Sequence, residues 1–318
     1  MAKIFLRGVA AAGLLAGAFA IFNEPSKMLD VVIPTPAPAA RAEVIFGGDM
    51  MFDRTIRTTM EEKGGDFIFS CIDPVLQSAD LVVANLEGPI TATSSRSVGS
   101  KVGAPDNYTF TFPTPTAPLL YAHNIRLVNI GNNHIMNFSR EGLMETEAWL
   151  DASGVGHFGD PDKVEAERVA RMKIRGVAFS FVNWSDWTSD KTDHTVAQVR
   201  KEARSGRVVV VYAHWGIEYA TTSSAYSREL AHSFVDAGAE MVIGSHPHVV
   251  QQHEVYHGKN IYYSLGNFIF DQYWNDDVRH GLLLDVVFGK TGVESVKEIP
   301  IELGRDRRTC PVEVGASL

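Results

Sequence analysis

A repeated pattern constrains the fold of this chain: a short apolar run ends in polar or charged side chains beside a glycine. The five runs are residues 43–46, 81–84, 126–130, 208–212 and 241–243. They are rich in Val and Ile, and several are apolar on both faces, which is typical of strands covered by helices. Ligands of α/β proteins bind at the carboxyl ends of such strands. The pattern therefore predicts one functional site built from consecutive strand ends.

The side chains that follow these runs are carboxylates, amides and imidazoles. They are Asp49, Asn85, Glu87, Asn133, His134, His214, His246 and His248. Taken singly, an Asp after a strand commonly forms a turn or caps a helix, and a His beside a strand commonly belongs to the core. Turn chemistry does not explain why four of the eleven histidines fall here. Because carboxylate, carbonyl oxygen and imidazole together suit Mn, Fe or Zn, the pattern favours a divalent-metal site.

Helical stretches alternate with the apolar runs. Amphipathic periodicity predicts helices over residues 54–63, 141–152, 196–204 and 227–237. Ser139 is expected to cap the second helix, and Gly238 to end the last. Further strands are predicted over residues 177–182, 253–256, 261–264, 282–288 and 293–303, the last four of them antiparallel, and residues 88–118 are expected to form a long loop. We expect an α/β fold, a layered α-β-β-α sandwich of two mixed sheets flanked by helices.

The composition excludes several classes of protein. The chain has 318 residues, of which 45% are hydrophobic and 21% charged, the profile of a globular protein rather than of a fibrous or disordered one. Its net charge of −9 means that no nucleic-acid partner is expected. Cys71 and Cys310 are too few for a Cys-based zinc site or a disulfide framework. Two buried thiols are the favoured interpretation, and a single bridge is the alternative.

The N-terminus has the pattern of an export signal. Two basic residues precede an uncharged apolar run over residues 8–22, so residues 1–22 are predicted to be a signal peptide or an N-terminal membrane anchor. Residues 23–41 contain four prolines among small residues, which predicts an extended Pro-rich linker. We expect a folded domain over residues 42–318, exported or membrane-anchored through the N-terminus and lying outside the cytoplasm.

Six segments, in their order and spacing, carry a family resemblance. They are GGDMMFDR, ANLEGPI, NIGNNH, AHWGIEY, GSHPHV and SLGNFIFD. Over residues 43–288 the chain resembles the CapA family of capsule-synthesis proteins, which is associated with poly-γ-glutamate production. That family is similar to the calcineurin-type metallophosphoesterases. The resemblance therefore implies a metallophosphoesterase-like domain over residues 42–318.

The resemblance also implies roles for the strand-end residues. The implied metal ligands are Asp49 and His248 at one metal, Asn133, His214 and His246 at the other, and Glu87 bridging both. The implied catalytic residues are His134, as general acid or phosphate clamp, and Asn85, as a hydrogen-bonding residue or further ligand. The implied cofactors are two divalent ions (Mn, Fe or Zn) serving a hydrolase of the phosphoesterase type. Met51 stands where the phosphoesterase pattern has a His, so the first metal has one ligand fewer.

The residues leave three functions open. The resemblance implies synthesis or export of a poly-γ-glutamate capsule. The alternatives are a phosphoesterase acting on a phosphodiester or lipid-linked phosphate unrelated to that polymer, and a non-catalytic scaffold stabilised by metal. The expected partners are a cell-envelope polymer or lipid-linked phosphate and a membrane complex for synthesis or export. Six aromatic residues are predicted near these strand ends, where they either pack in the core or receive such a substrate. They are Trp184, Trp187, Trp215, Tyr219, Tyr273 and Trp274.

Two short motifs are interpreted as coincidences. The string HEVYH over residues 253–257 matches the zinc-protease motif, which acts only on a helix. The pattern here predicts a strand, in which His253 and His257 would lie about 13 Å apart and could not share one zinc ion. Residues 289–291, GKT, lack the glycine that a phosphate-binding loop requires and are predicted to form a hairpin turn.

Overall fold

The computed structural model describes residues 40–164, 168–188 and 192–312. The predicted signal or anchor over residues 1–22 lies outside the described residues, as does the predicted linker apart from residues 40 and 41. Within the described ranges, none of the helices has the length and apolar character needed to span a bilayer.

The described residues form fourteen strands, seven α-helices and one 3₁₀-helix. The strands are β1 (Arg41–Met50), β2 (Leu81–Leu86), β3 (Ile125–Asn129), β4 (Gly156–Phe158), β5 (Val169–Ile174), β6 (Val177–Ser185), β7 (Val208–His214), β8 (Met241–Ser245), β9 (His253–Tyr256), β10 (Lys259–Tyr262), β11 (Asn267–Ile269), β12 (His280–Gly289), β13 (Gly292–Leu303) and β14 (Thr309–Pro311). The helices are α1 (Arg54–Lys63), α2 (Asp66–Phe69), α3 (Asp73–Leu76), α4 (Thr116–Ala122), α5 (Ser139–Ser153), α6 (Thr192–Arg204) and α7 (Ala225–Ala237), with the 3₁₀-helix over Pro105–Tyr108.

The strands make two mixed sheets. The first has the order β14-β13-β12-β1-β2-β3-β4, with β11 also paired to β1. In it β1 to β4 are parallel to one another. β12 pairs antiparallel with β1, β13 antiparallel with β12, and β14 antiparallel with β13. The second has the order β5-β6-β7-β8-β10-β9, in which the four central strands are parallel. The predicted fold class, two mixed sheets flanked by helices, is confirmed.

Alternating side chains along each central strand create three apolar layers. In β7, Val210 and Tyr212 enter the core between the two sheets. Val211 and Ala213 point the other way, into a core shared with α6 and α7. A third core lies between the first sheet and α1, α4 and α5. Both faces of the central strands are therefore buried, which explains why their sequences are apolar throughout.

Most predicted elements are present, with three corrections. The helix over residues 54–63 coincides with α1, and Gly238 ends α7 at a positive φ of 111°. Ser139 is not an N-cap, because α5 begins at Ser139 itself and is preceded by Phe138. The last third of the chain is not wholly antiparallel, since β10 lies parallel to β8 and β11 parallel to β1. The predicted loop over residues 88–118 also contains the 3₁₀-helix and the start of α4.

Cys71 and Cys310 form a disulfide, so the favoured interpretation of two buried thiols is wrong. They are 239 residues apart in sequence, yet their Cα atoms are 5.0 Å apart. The fold brings them together because β14, which contains Cys310, pairs with β13 at the edge of the first sheet. The segment between α2 and α3 carries Cys71 to the same place. The tertiary structure thus decides in favour of the single bridge, the alternative interpretation.

The two motif coincidences are resolved as predicted. Residues 253–256 form β9, and His253 contacts Asn260 of the adjacent strand through Nε2 at 2.9 Å. His257 lies in the turn that follows and contacts Asp236. The GKT segment falls at the tight turn between β12 and β13, which ends one strand at Gly289 and begins the next at Gly292.

Candidate metal centre

The carboxyl ends of strands from both sheets meet at one edge of the sandwich. β1 and β2 are longer than predicted, so that Asp49 and Asn85 lie within them rather than after them. His214 is the last residue of β7, and His246 follows β8 directly. The backbone N–H of His246 donates to Asp49 Oδ2 at 3.0 Å, which joins the end of the second sheet to the end of the first.

Glycine is needed before Asp49 because two backbone segments come into close contact there. A Cβ at Gly48 would lie 1.8 Å from the carbonyl oxygen of Gly266. The same oxygen accepts the N–H of Asp49 at 3.0 Å. Gly244, ahead of His246, has the same requirement, since its Cβ would lie 1.9 Å from the Tyr263 oxygen. Both glycines thus permit close approach of neighbouring strands, which fixes the ends from which Asp49 and His246 project.

Three buried side chains form a compact group of metal-ligating atoms. Glu87, His246 and His248 each offer one ligand atom, and these atoms lie within 4.8 Å of one another. Glu87 Oε1 is 3.5 Å from His248 Nε2. Both carboxylate oxygens of Glu87 and the Nδ1 of His246 are buried with no hydrogen-bond partner among the residues that the structure describes. Because a buried carboxylate without donors is costly, this group fits a bound cation.

Asp49 and Glu87 present two carboxyl groups to each other. Both side chains are fully buried, and they lie close enough for the Asp49 charge to act on Glu87. Burial raises the pKa of Asp49 to about 7, and burial together with the Asp49 charge raises the pKa of Glu87 well above its usual range. Two adjacent carboxylates need a proton or a cation between them.

The hydrogen-bond partner of His248 fixes which ring nitrogen is available to a metal. Asn267 Nδ2 donates to the backbone oxygens of His248 and Val278, so its Oδ1 faces His248. His248 Nδ1 lies 3.0 Å from that oxygen and must carry the proton. Nε2, the nitrogen that faces Glu87, is therefore a free lone pair. An outer partner of this kind commonly orients a metal-binding imidazole.

The ligands implied for the other metal also lie together. His214 Nε2 is 2.8 Å from Asn133 Oδ1, and the His214 ring centroid is 4.9 Å from that of His246. Asn85 connects the two sets, because its Nδ2 donates to Asp49 Oδ1 at 2.8 Å and lies 3.3 Å from His214 Nδ1. The compact group thus contains one histidine from each implied set, together with the carboxylate implied to bridge them.

Burial keeps the histidines of this site uncharged. It lowers the pKa of His246 to about 3 and that of His134 to about 4. It also lowers the pKa values of His214 and His248 well below the usual range. The neutral imidazole is the form that binds a metal, so none of these rings needs to lose a proton at neutral pH.

His134 lies at the margin of the site. Its Nδ1 donates to Asn137 Oδ1 at 3.1 Å, and that oxygen also accepts the N–H of Phe110. Its Nε2 is 3.9 Å from Glu87 Oε1. The ring packs on that of Phe110, with centroids 4.4 Å apart. His134 thus presents one nitrogen to the carboxylate cluster while contacts from the long loop hold its other side.

Comparison with known proteins identifies the family. Residues 43–272 match the family model described as bacterial capsule synthesis protein PGA_cap. The chain belongs to this family. The match covers more than two thirds of the 318 residues, and the CapA resemblance of the six segments is confirmed.

Two relatives of this PGA_cap protein come from Bacillus. The PGA biosynthesis protein CapA of Bacillus subtilis (strain 168) is 29% identical over 275 residues, which cover 81% of this chain and 70% of that protein. The capsule biosynthesis protein CapA of Bacillus anthracis is 30% identical over 246 residues, which cover 71% of this chain and 59% of that protein. This chain thus spans between 59% and 70% of the lengths of these relatives.

A solved structure gives a weaker likeness. A crystal structure of a Thermus thermophilus protein aligns with 81% of this chain and 97% of that one. The TM-score is 0.47 and the sequence identity 11%, and nothing further is drawn from a likeness at this level.

Two residues near the centre of this PGA_cap protein were not among the site residues predicted from its sequence. Asn267 was one, although it follows a glycine after a predicted strand, like the residues that were singled out. Arg54, in the GGDMMFDR segment, was another. Met51 stays outside the centre: its side chain is buried in the core with Sδ 3.0 Å from the N–H of Asp53, so position 51 supplies no ligand there.

The aromatic residues near the strand ends divide into two groups. Trp184 and Trp215 belong to the core beneath α6 and α7. Trp187, Tyr219 and Trp274 have exposed fractions of 44%, 39% and 60%. The Trp187 ring centroid lies 4.1 Å from that of His246, and that of Tyr219 lies 6.1 Å from that of His248. Exposed aromatic surface therefore adjoins both histidines of the compact group. The sixth residue, Tyr273, packs against the core of the first sheet.

Proposed function

We propose that this PGA_cap protein acts outside the cytoplasm in the synthesis or export of a poly-γ-glutamate capsule, through a divalent-metal centre of the phosphoesterase type. The observation that carries the proposal is the carboxylate of Glu87, which has no hydrogen-bond partner in the described part of the chain and is buried beside two uncharged histidines that offer lone pairs. A site without a metal function would pair or expose such a group. The family supports the capsule role, and the donor set supports the metal.

The proposed ligands are the residues that the structure brings together at the strand ends. They are Asp49, Glu87, Asn133, His214, His246 and His248. Two Mn, Fe or Zn ions held there would supply a nucleophile from water at neutral pH and a positive clamp on a phosphoryl group. Asn85 would orient Asp49 through its 2.8 Å hydrogen bond. The neutral His134 ring carries its proton on Nδ1, so Nε2 would take a proton from the attacking water and then donate it to a phosphoryl oxygen or pass it to the leaving oxygen.

The proposed location has support from the disulfide. Bridges such as Cys71–Cys310 persist outside the cytoplasm and are rare within it. A signal or anchor over residues 1–22 and a linker over residues 23–41 would place the domain in that compartment. The substrate would be a cell-envelope polymer or a lipid-linked phosphate, handled together with a membrane complex for synthesis or export.

Elemental analysis tests the metal centre. We expect the purified protein, dialysed against Mn²⁺ or Zn²⁺, to retain nearly two metal equivalents per chain, because the strand ends hold two sets of ligands around Glu87. The variant His246→Ala/His248→Ala should retain fewer than half an equivalent, since it lacks one ligand from each set. A His253→Ala variant, which removes an exposed histidine outside the centre, should match the wild type. Equal metal content in all three proteins would contradict the proposal.

A turnover assay distinguishes an enzyme from a scaffold. With Mn²⁺ present, we expect hydrolysis of phosphomonoester or phosphodiester model substrates, reduced about 100-fold or more in kcat by His134→Ala, the scale of general acid–base catalysis. Metal content should be unchanged, because His134 is not among the proposed ligands. Full metal binding with no turnover on a broad panel of phosphoesters would reject the hydrolase and favour the metal-stabilised scaffold.

A further inference from the structure

A cavity of about 350 Å³ opens beside the proposed metal centre. Its walls come from α1, from the long loop over residues 88–118, from the segment after β11 and from the turn between β13 and β14. The lining residues that matter for its chemistry are Arg54, Ser100, Asn107, Asp271, Trp274 and Arg307. We call this space the arginine cavity. The proposed function assigns it no role.

Arg54 is held in the wall of the arginine cavity by its ion pair with Asp271. Its side chain is 12% exposed, and its Nε is buried with no hydrogen-bond partner among the described residues. Its φ of 49° lies in the left-handed region, which an arginine rarely adopts. A buried guanidinium group keeps its charge and recognises carboxylates and phosphates through its planar fork of donors.

The turn between β13 and β14 adds further positive charge. Arg307 lines the cavity and is steadied there by a 2.9 Å hydrogen bond from its Nε to Thr55 Oγ1 and by contact with the ring of Tyr273. Arg305 and Arg308 belong to the same turn, in which Asp306 pairs with Arg308. This concentration of arginine stands out in a chain whose net charge is −9. It would attract an anion.

Aromatic side chains connect the arginine cavity to the metal centre. The Arg54 guanidinium carbon lies 5.1 Å from the Phe110 ring centroid, and that ring packs on His134. On the open side, Trp274 of the cavity wall contacts Tyr219, with ring centroids 5.3 Å apart. Tyr219 in turn lies beside His248. Tyr219 and Trp274, both exposed, thus form a continuous aromatic surface from His248 to the cavity wall.

We infer that the arginine cavity binds an anionic oxygen group, carboxylate or phosphate, on the part of the substrate that does not react. Arg54 and Arg307 would hold that group, and Trp274 would pack against the chain linking it to the reacting end. This inference rests on the proposed function, because only that function makes the bound molecule a substrate. Binding of the anion itself needs no metal, so the test uses the metal-free protein and is independent of the metal analysis.

The test is calorimetric titration of the full chain in EDTA with three probes. They are a γ-linked glutamate pentamer, the uncharged γ-linked glutamine pentamer of equal length, and inorganic phosphate. We expect the glutamate pentamer to bind and the glutamine pentamer not to bind, with affinity falling as NaCl is raised. If phosphate binds and the glutamate pentamer does not, the cavity takes the phosphate group of its substrate.

Three variants separate recognition from structural damage. Arg307→Gln should weaken binding of the anion about tenfold, the scale of one charge-assisted hydrogen bond. Asp271→Asn keeps an oxygen acceptor for Arg54 but removes the negative charge that competes with the anion, so it should strengthen binding several-fold. Arg305→Gln is the matched control, since Arg305 belongs to the same turn but is not in the cavity wall, and it should change binding less than twofold.

Opposite effects from Arg307→Gln and Asp271→Asn cannot arise from general loss of structure. Three results would overturn the inference: neither anion binds, the two pentamers bind equally, or both variants bind the anion as the wild type does. Arg54 itself is left intact in this test, because its removal would leave Asp271, 6% exposed, without its cation and would disturb folding.

Discussion

Replacing Glu87 by glutamine is expected to stabilise the metal-free protein and to abolish tight metal binding. In the absence of metal, Glu87 is fully buried, neither of its oxygens has a hydrogen-bond partner within the described ranges, and burial raises its pKa well above the usual range. Glutamine has no charge to desolvate and can donate to the Asp49 carboxylate. We expect a gain of about 1–3 kcal/mol in the free energy of unfolding. At 2–4 °C per kcal/mol, Tm in EDTA should rise by roughly 2–12 °C.

In the presence of metal the same substitution should have the opposite sign. The amide offers a weaker ligand than the carboxylate, so affinity should fall by about a hundredfold or more. Saturating Mn²⁺ should then raise the Tm of the wild type much more than that of the variant. Thermal unfolding of both proteins in EDTA and in Mn²⁺ measures both effects together.

A matched control is Glu254→Gln. Glu254 lies outside the centre, accepts hydrogen bonds from Tyr263 and His232, and has its pKa lowered chiefly by the Tyr263 hydroxyl. Its replacement should lower Tm slightly in EDTA and in Mn²⁺ alike. A fall in Tm for Glu87→Gln in EDTA, with metal affinity unchanged, would show that Glu87 is a structural residue.

Loss of the Cys71–Cys310 bridge is expected to destabilise the domain strongly. The bridge joins residues 239 apart, so it restricts a long loop of the unfolded chain. We expect the double variant Cys71→Ala/Cys310→Ala to lose about 2–5 kcal/mol in the free energy of unfolding, which lowers Tm by roughly 4–20 °C. Differential scanning calorimetry of the wild type with and without dithiothreitol, alongside the variant, measures this loss.

The variant also serves as the control for the reductant. Dithiothreitol should lower the Tm of the wild type towards that of the variant and leave the variant unchanged. A wild-type Tm that does not move, although thiol titration finds two free thiols per chain, would mean that the bridge does not stabilise the fold.

The central strands could be predicted because burial on both faces requires a run of consecutive apolar residues, which is visible in the local sequence. Residues 208–212 are five consecutive apolar residues, and such a run fits a strand between two layers better than a surface strand. β4 and β11 have three residues each and carry no comparable signal. Their pairing with long neighbours creates them, so no local pattern could predict them.

The residues of the candidate site likewise fall into those that the local sequence predicts and those that it does not. Asp49 and His246 follow directly from strand ends and glycines, which are local features. The partner of Cys71 and the role of Asn267 depend on contacts between distant segments. Phe110, from the long loop, contacts both Arg54 and His134, and this link between distant segments has no local signal. The local sequence predicts which polar residue lies at each strand end. Tertiary packing determines which other side chains contact that residue.

The proposed ligands come from both sheets of the sandwich, whose ends are joined by the hydrogen bond from the His246 N–H to Asp49. Asp49 and Glu87 come from the first sheet, and His214 and His246 from the second. An ion shared among them would therefore act as a cross-link between the two halves of the fold. We expect amide hydrogens near the ends of β1 and β8 to exchange in concert and to slow together on metal addition, so that occupancy could be followed from backbone opening alone.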